Sequence, residues 1–545
     1  MFRPNVAAVS RVVLTVLVLC ALAPGLVAAQ DDDTAPDPAP ADDARGDDAL
    51  PWYQQGQGPE AADPIPPADE PAPPVEEAAD PEPALEPGES AAPDPTPTAP
   101  DDVEDEPADD DEEHTGGFYF GSYGRIVAAS DLQGRSGRQN LVTTWGPRVD
   151  ESDTYAEIEL RREDHFAGMD TQIVATVAYF GPLFHYDGEL SERIAFRNLF
   201  ARVGNLLTPG LNVWAGSRMW RGDDVYLFNF WPLDNLNLIG GGLSYDLEDI
   251  GQLRIAGGLA QPNDPFQRQE LTTTPLVGFD PSTVLFLDRP RMVVAGRLTW
   301  WPFGRRARTG MKAILYGEGH FLAAGTRRNE EGFDEPLPED AGYVVGAQVG
   351  AYLADLNTFA NLFVRYGRGL GAYDPLGVPF RAGSVIQTGR AEEFRVALSA
   401  NWEVDVFGLQ VGAYYRYFRD ADPNVFGRGS ISEGSINLRP MVWLDRFVGI
   451  AADVSYSGMA ASAISEVTGD PVGGNLFKVG IVPFISPFGR GTYTRPHLRL
   501  IYSLTVRDEG TRALYPALDP RSANDVEHFF GIGVEWWFSS SSYGS

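Results

Sequence analysis

The chain has almost no cysteine, lysine or histidine, and no apolar run long enough to cross a membrane as a helix. Cys20 is the only cysteine. It sits in the apolar stretch of an N-terminal leader, and Leu19 precedes it where a lipoprotein signal carries a small residue. The mature chain is therefore expected to have neither a disulfide framework nor a thiolate metal site. The longest apolar run, Val12–Leu22, is short of the ~20 residues that a spanning helix needs. If the mature protein spans a membrane, it does so with strands.

Residues 1–29 read as a secretory signal: Arg3 and Arg11 supply the positive start, and Val27-Ala28-Ala29 the small-residue cleavage site. Residues 30–116 change abruptly to Asp, Glu, Pro and Ala, with Arg45 the only basic side chain and a net charge of −28. Few apolar groups and many like charges cannot offset chain entropy, so this segment is expected to be disordered and extended. It reads either as a periplasmic spacer with a partner or as a solvated tail without one. The remaining body carries only −9 of the formal −35. An acidic body has no nucleic-acid footprint.

From Phe118 onward the chain shows runs of about ten residues that alternate in character, the pattern of a transmembrane barrel. In Thr154–Arg161, Ala156, Ile158 and Leu160 fall on one face and Tyr155, Glu157, Glu159 and Arg161 on the other. Period two alone does not say which face meets lipid. About eighteen candidate strands fall near 117–129, 152–162, 171–180, 194–205, 211–219, 239–247, 252–260, 291–301, 310–323, 342–354, 357–367, 391–402, 407–418, 434–443, 447–457, 474–484, 493–506 and 527–538. Long connections (130–151, 220–238, 261–290, 368–390, 507–526) alternate with short ones such as 355–356, 403–406 and 444–446. Long outer loops and short periplasmic turns distinguish outer-membrane barrels, and an even strand number places both termini in the periplasm. The expected fold is all-β: a transmembrane antiparallel barrel over 117–538, followed by a short extension, 539–545. Trp300-Trp301 and Trp536-Trp537-Phe538 sit at strand ends, as interfacial aromatics do.

Several stretches resemble the maltoporins and related sugar-specific porins. The strongest runs from Phe196-Arg197 to Asp234 and contains Leu207-Thr208-Pro209-Gly210, Val213-Trp214-Ala215-Gly216-Ser217-Arg218 and Asp224-Val225. Tyr493-Thr494-Arg495-Pro496-His497-Leu498-Arg499 is similar to the family's Trp-x-Arg-Pro pattern before its penultimate strand. Smaller matches are Ser122–Arg125, Asp153–Glu157, Leu438–Met441 and Glu535-Trp536-Trp537. The resemblance implies an eighteen-stranded, homotrimeric barrel in the bacterial outer membrane that conducts sugars and needs no cofactor.

A sugar ring has apolar C–H faces and a rim of hydroxyls, so a selective channel needs aromatic rings beside charged groups, neither binding too tightly. By resemblance the aromatic line includes Tyr123, Tyr155, Tyr493, Trp537 and Trp231. The polar line includes Arg125, Arg148, Glu157, Arg197 and Asp224, with Arg221 displaced. Tyr123 shares a face with Arg125, Tyr155 with Glu157, and Trp537 with Glu535. A charge at the lipid midplane costs about 2–4 kcal/mol, so these faces are expected to point inward. Trp220–Leu238, rich in Trp220, Tyr226, Phe228, Phe230 and Trp231, resembles the family's inward-folded constriction loop. It departs from the family at Trp231 (usually Tyr), Asn229 (usually Asp) and Gly222 (usually Arg). The first outer loop lacks the cysteine pair of some relatives, and residues 181–193, with Phe184 and Tyr186, are candidates to reach a neighbouring subunit's channel.

Beside a soluble secreted β-sandwich, whose apolar faces would look inward, two outer-membrane readings remain open from sequence. One is a general porin, or one selective for another solute. The other is an outer-membrane hydrolase, but His165, His185, His320, His497 and His528 have no metal-ligand spacing and no nucleophile elbow accompanies them.

Overall fold

The computed structural model describes residues 115–181, 193–260, 266–274, 281–374, 386–421, 429–464 and 469–539. The leader, the acidic segment as far as His114, residues 182–192 and residues 540–545 lie outside the described residues. Thr115 and Gly116, assigned to the tail from sequence, open the first strand, where they pair with His165 and Asp164.

The strands are β1 (Thr115–Ser130), β2 (Thr154–Phe166), β3 (Met169–Gly181), β4 (Arg193–Gly204), β5 (Leu211–Arg221), β6 (Asn235–Leu247), β7 (Gly251–Ala260), β8 (Arg268–Thr273) and β9 (Ser282–Asp288). They continue as β10 (Arg291–Trp300), β11 (Thr309–Leu322), β12 (Gly325–Arg328), β13 (Asp334–Leu337), β14 (Asp340–Leu353), β15 (Thr358–Gly369) and β16 (Glu392–Val404). The last are β17 (Phe407–Arg419), β18 (Ser430–Trp443), β19 (Val448–Ile464), β20 (Pro471–Ile485), β21 (His497–Arg507) and β22 (Val526–Phe538). Eighteen of these form one sheet in which each strand pairs with the next, and β22 pairs with β1, from Ser122↔Phe538 to Ser130↔Phe530. Closure leaves no edge, so every ladder group is satisfied without water, which hydrocarbon demands.

Each of the eighteen candidate strands corresponds to a barrel strand. The β8–β9 and β12–β13 hairpins and the short helices Glu509–Ala513 and Pro520–Ala523 lie in the long connections and were not anticipated. One boundary needs correction: the strand expected over 493–506 begins at His497, so Tyr493, Thr494, Arg495 and Pro496 belong to the connection before β21. The Ala167-Gly168 turn between β2 and β3 has positive φ at both residues, 52° and 70°, the handedness that suits the strand twist of a two-residue hairpin.

Burial decides which face meets lipid. On β2 the apolar Ile158 and Leu160 are 52% and 60% exposed, whereas Glu157 and Glu159 are each 1% exposed. The same inversion runs round the ring: Ile173, Ile239, Leu315 and Ile532 face outward, and Arg297, Glu393, Asp453 and Lys478 are buried inside. An apolar exterior around a charged interior is stable only in hydrocarbon.

The apolar core lies inside the barrel. Val225, Phe228, Phe230 and Leu233 of the β5–β6 connection pack against Val293, Ile314, Val344, Phe363, Ala397 and Tyr414, which come from β10 round to β17. No helix among the described residues is long and apolar enough to cross a membrane.

Candidate functional site

The chain between β5 and β6 turns into the barrel because its side chains are mostly apolar: Val225, Tyr226, Leu227, Phe228, Phe230 and Leu233 are all buried. Its tip is a single tight turn, Tyr226–Phe228, ended by Asn229 in the left-handed conformation (φ 52°) and closed by the Val225 amide donating to the Phe230 carbonyl at 2.7 Å. Asparagine tolerates that conformation better than most residues. Phe230 stacks on Trp145 of the β1–β2 connection at 4.0 Å, and both Phe228 and Phe230 touch Tyr414 on the far wall (5.7 and 5.5 Å). Gly412 on β17 makes room: a Cβ there would approach Val225 to 2.9 Å. Ion pairs Asp223–Lys312 (2.6 Å) and Asp234–Arg297 (2.9 Å) fix the loop's two ends. The second pair packs against Gly222, so a guanidinium from β10 occupies the neighbourhood in which the sequence resemblance would put an arginine side chain.

Tyr123 on β1 and Trp537 on β22 are direct cross-strand partners, and their rings stack at 6.4 Å with an interplanar angle of 17°. Tyr155 on β2 lies 5.8 Å from Tyr123, and Tyr493 lies 6.4 Å from Trp537. Tyr226 from the loop tip meets both Tyr493 (5.6 Å) and Trp537 (5.8 Å), and Phe359 on β15 continues the row 6.0 Å beyond Tyr493. Four of the five aromatics expected from sequence thus form one contiguous row. The fifth does not join it: Trp231 lies under the Arg221 guanidinium at 3.9 Å, and among the described residues it makes no ring contact with the row. Arg221 itself donates to Asn235, its cross-strand partner at the base of the loop, at 2.7 Å.

The expected polar residues flank the row. Arg125 pairs with Glu151 at 2.5 Å and donates to the Tyr123 hydroxyl at 3.4 Å. Arg148 reaches Glu151 (2.7 Å), the Tyr123 hydroxyl (3.1 Å) and Glu535 (3.4 Å). Arg197 pairs with Glu157, and both bond the Tyr155 hydroxyl. Burial alone would raise the Glu151 carboxyl, but the charges of Arg125 and Arg148 hold it below the usual carboxylate range. Asp224 has no ion-pair partner among the described residues. Burial, then the neighbouring Asp223 charge, raises its carboxyl to about 6.

Sequence reasoning did not single out Glu151, Tyr226 or Phe359 as lining residues, and it used Glu535, Arg495 and Arg499 only as parts of matched motifs or, for Glu535, as the marker of a strand face. Glu535, 0% exposed, is the hub, with Arg495 at 3.1 Å, Arg499 at 3.4 Å and the Tyr226 hydroxyl donating at 2.6 Å. Phe359 shares its strand face with the buried Asn361 and Arg365, so the parity argument that picked Tyr155 could have found it. Among the described residues no cluster of three His, Cys, Asp or Glu is placed to hold a metal ion.

A closed antiparallel barrel, apolar outside and charged inside, with a connection folded into its hollow, defines an outer-membrane channel. The model of the family described as LamB porin matches residues 118–538, and the chain belongs to that family. No curated protein matches the chain. Among solved structures, OccD3 (OpdP) of Pseudomonas aeruginosa is similar at 8% identity, covering 78% of this chain and 91% of that one, with a TM-score of 0.39. The outer membrane channel DcaP of Acinetobacter baumannii is similar at 9% identity, with 78% and 97% coverage and a TM-score of 0.39. OmpT of Vibrio cholerae, solved in trimer form, is similar at 13% identity, with 78% and 99% coverage and a TM-score of 0.33.

Proposed function

We propose that this outer-membrane channel conducts carbohydrates, maltooligosaccharides or related sugars, by sliding them along the row Tyr155, Tyr123, Trp537, Tyr493. The observation that carries the reading is the contiguity of that row beside guanidinium–carboxylate pairs. The rings offer apolar faces to the C–H faces of a sugar. Arg125, Arg148, Glu157 and Arg197 offer charge-assisted bonds that can exchange one partner for a hydroxyl and back, and multiple weak sites allow exit as well as entry. Asp224, without an ion pair, is an acceptor held ready in the loop. The test is single-channel conductance of the purified protein. Maltooligosaccharides are expected to reduce the current saturably, and an unchanged current at high sugar would reject the sugar reading while leaving the channel intact.

The same reading includes a homotrimer. The leader over 1–29 directs export. Both termini lie in the periplasm; the short connections on the rim that carries both ends of the barrel support that orientation.

A further inference from the structure

Most cations of the inner wall have a carboxylate within reach. Arg125 has Glu151, Arg197 has Glu157, Arg297 has Asp234, Arg439 has Asp453, Lys478 has Asp150, and Arg365, Arg395 and Arg416 share Glu393. Arg202, Arg218 and Arg254 do not: none of the three forms an ion pair among the described residues. They stand on β4, β5 and β7, and all three are half-buried, so their heads reach the hollow.

Two of them, Arg218 and Arg202, meet a pair of rings, and Arg254 stands on the neighbouring wall. The Arg218 guanidinium lies over Phe200 at 4.6 Å and over Trp214 at 5.3 Å, and the two rings meet edge-on at 6.3 Å. Arg202 is the cross-strand partner of Trp214. Arg254 is the cross-strand partner of Arg297, whose charge Asp234 already engages. Gly242 lets the Trp214 indole lie against the wall: a Cβ there would stand 2.6 Å from its Nε1. Arg202 repels Arg218, and Arg297 and then Arg218 repel Arg254, with Asp234 partly opposing them. What they do bond is neutral: Arg202 donates to Asn212 at 2.6 Å and Arg254 to Gln252 at 2.5 Å. The acid on this wall, Asp246, accepts from those same amides, Asn212 at 3.3 Å and Gln252 at 2.5 Å.

Like charges gathered in a narrow hollow without direct ion pairs raise the local anion concentration and are relieved when an oxyanion binds. Planar guanidinium groups match carboxylate and phosphate geometry. β4 ends, and β5 and β7 begin, at the rim of short turns, so the cluster lies between that rim and the inward loop. We infer that this wall is a second subsite, separate from the row on β1, β2 and β22, which binds sugars bearing a carboxylate or phosphate: Trp214 and Phe200 take the ring, and Arg202, Arg218 and Arg254 the charged group. This rests on the sugar-channel reading and extends its substrate class to anionic sugars.

The test is blockade of single-channel current by glucose, glucose 6-phosphate and inorganic phosphate, applied to the full chain in planar bilayers. Glucose 6-phosphate is expected to block at roughly tenfold lower concentration than glucose, the worth of one charge-assisted bond, with inorganic phosphate weaker than the sugar phosphate. The Arg218→Gln/Arg254→Gln double variant is expected to lose that advantage while maltooligosaccharides still block it as they do the wild type. Arg254→Lys, which keeps the charge, is expected to retain most of the advantage. Heat-modifiable gel migration establishes that each variant is folded. If the double variant does not fold, Arg254→Gln alone is measured by reversal potential in a KCl gradient, with a shift toward cation preference expected and an unchanged potential overturning the inference. Equal block by glucose and glucose 6-phosphate, an advantage that survives the double variant, or inorganic phosphate blocking as strongly as the sugar phosphate would each overturn it. Failure of the underlying sugar reading shows separately, as absence of block by maltooligosaccharides.

Discussion

Glu393 on β16 and Glu535 on β22 each hold three arginines, yet the two clusters are built differently. Around Glu393, Arg395 and Arg416 close to 2.6 and 2.7 Å and Arg365 is also paired, all four side chains buried. Arg395 lies over Trp145 (4.6 Å) and Phe230 (5.2 Å) and donates to the Pro232 carbonyl at 3.3 Å, so this cluster bolts both inward connections to the wall. Around Glu535 the distances are longer, 3.1–3.4 Å, and the partners are shared: Arg148 also serves Glu151, and Arg495 also donates to the Tyr226 hydroxyl at 2.7 Å. Arg495 lies 4.0 Å over Trp537, in the ring row itself. The Glu393 pairs, away from the row, fasten the loop, whereas the longer Glu535 pairs along it can trade a partner for a hydroxyl.

The largest effect expected from this contrast is on stability. Glu393→Gln takes from the buried Arg365 and Arg395 the carboxylate they share, while Arg416 keeps Glu433 at 3.3 Å; losing one partner of a buried pair costs about 3–5 kcal/mol. A clear fall in the temperature at which the barrel loses its heat-modifiable gel mobility is expected. Glu535→Gln should lower that temperature less, since Arg148 retains Glu151, but should weaken sugar block more. Equal thermal losses in the two variants would erase the distinction between fastening and conducting clusters.

Next in size is the ring row. Trp537→Ala removes the ring that stacks on Tyr123 and contacts Tyr493 and Tyr226, and is expected to raise the sugar concentration for half-block roughly tenfold, the worth of one aromatic contact with its burial. Trp231→Ala, at the site paired with Arg221, is expected to change it by less than about twofold. Similar losses in both would return Trp231 to the solute path.

The legibility of the molecule divides along the same line. The strands could be read because a barrel wall writes its two environments into alternate residues, and Tyr123, Tyr155 and Trp537 could be placed because each shares a face with a charge. Strand parity carries no information about connections. It could not place Trp231, which the Gly222–Asp234 backbone turns toward Arg221, nor Tyr493, whose spacing from Arg495 and Arg499 imitates a strand that begins only at His497. Nor could it show which arginines are paired: Arg218 and Arg297 look alike in sequence, and only Asp234, brought back by the folded loop, distinguishes them.

The smallest expected effect separates Asp224 from its paired neighbour Asp223. Lys312 neutralises Asp223, whereas Asp224, facing Asp223, Arg148, Arg221 and Tyr493, keeps its carboxyl near 6. A carboxyl raised above its unfolded value binds its proton more tightly in the folded chain. Its stabilising contribution is complete below the ordinary carboxylate range and is lost as pH rises through about 6. Lowering the pH from 7 to 5 should therefore neutralise one charge in the loop without loosening it, and shift the reversal potential in a KCl gradient modestly toward anions. Asp224→Asn should abolish that step and match the low-pH wild type at both values. A pH step that persists in Asp224→Asn would assign the titration to another group and leave Asp224 ionised throughout.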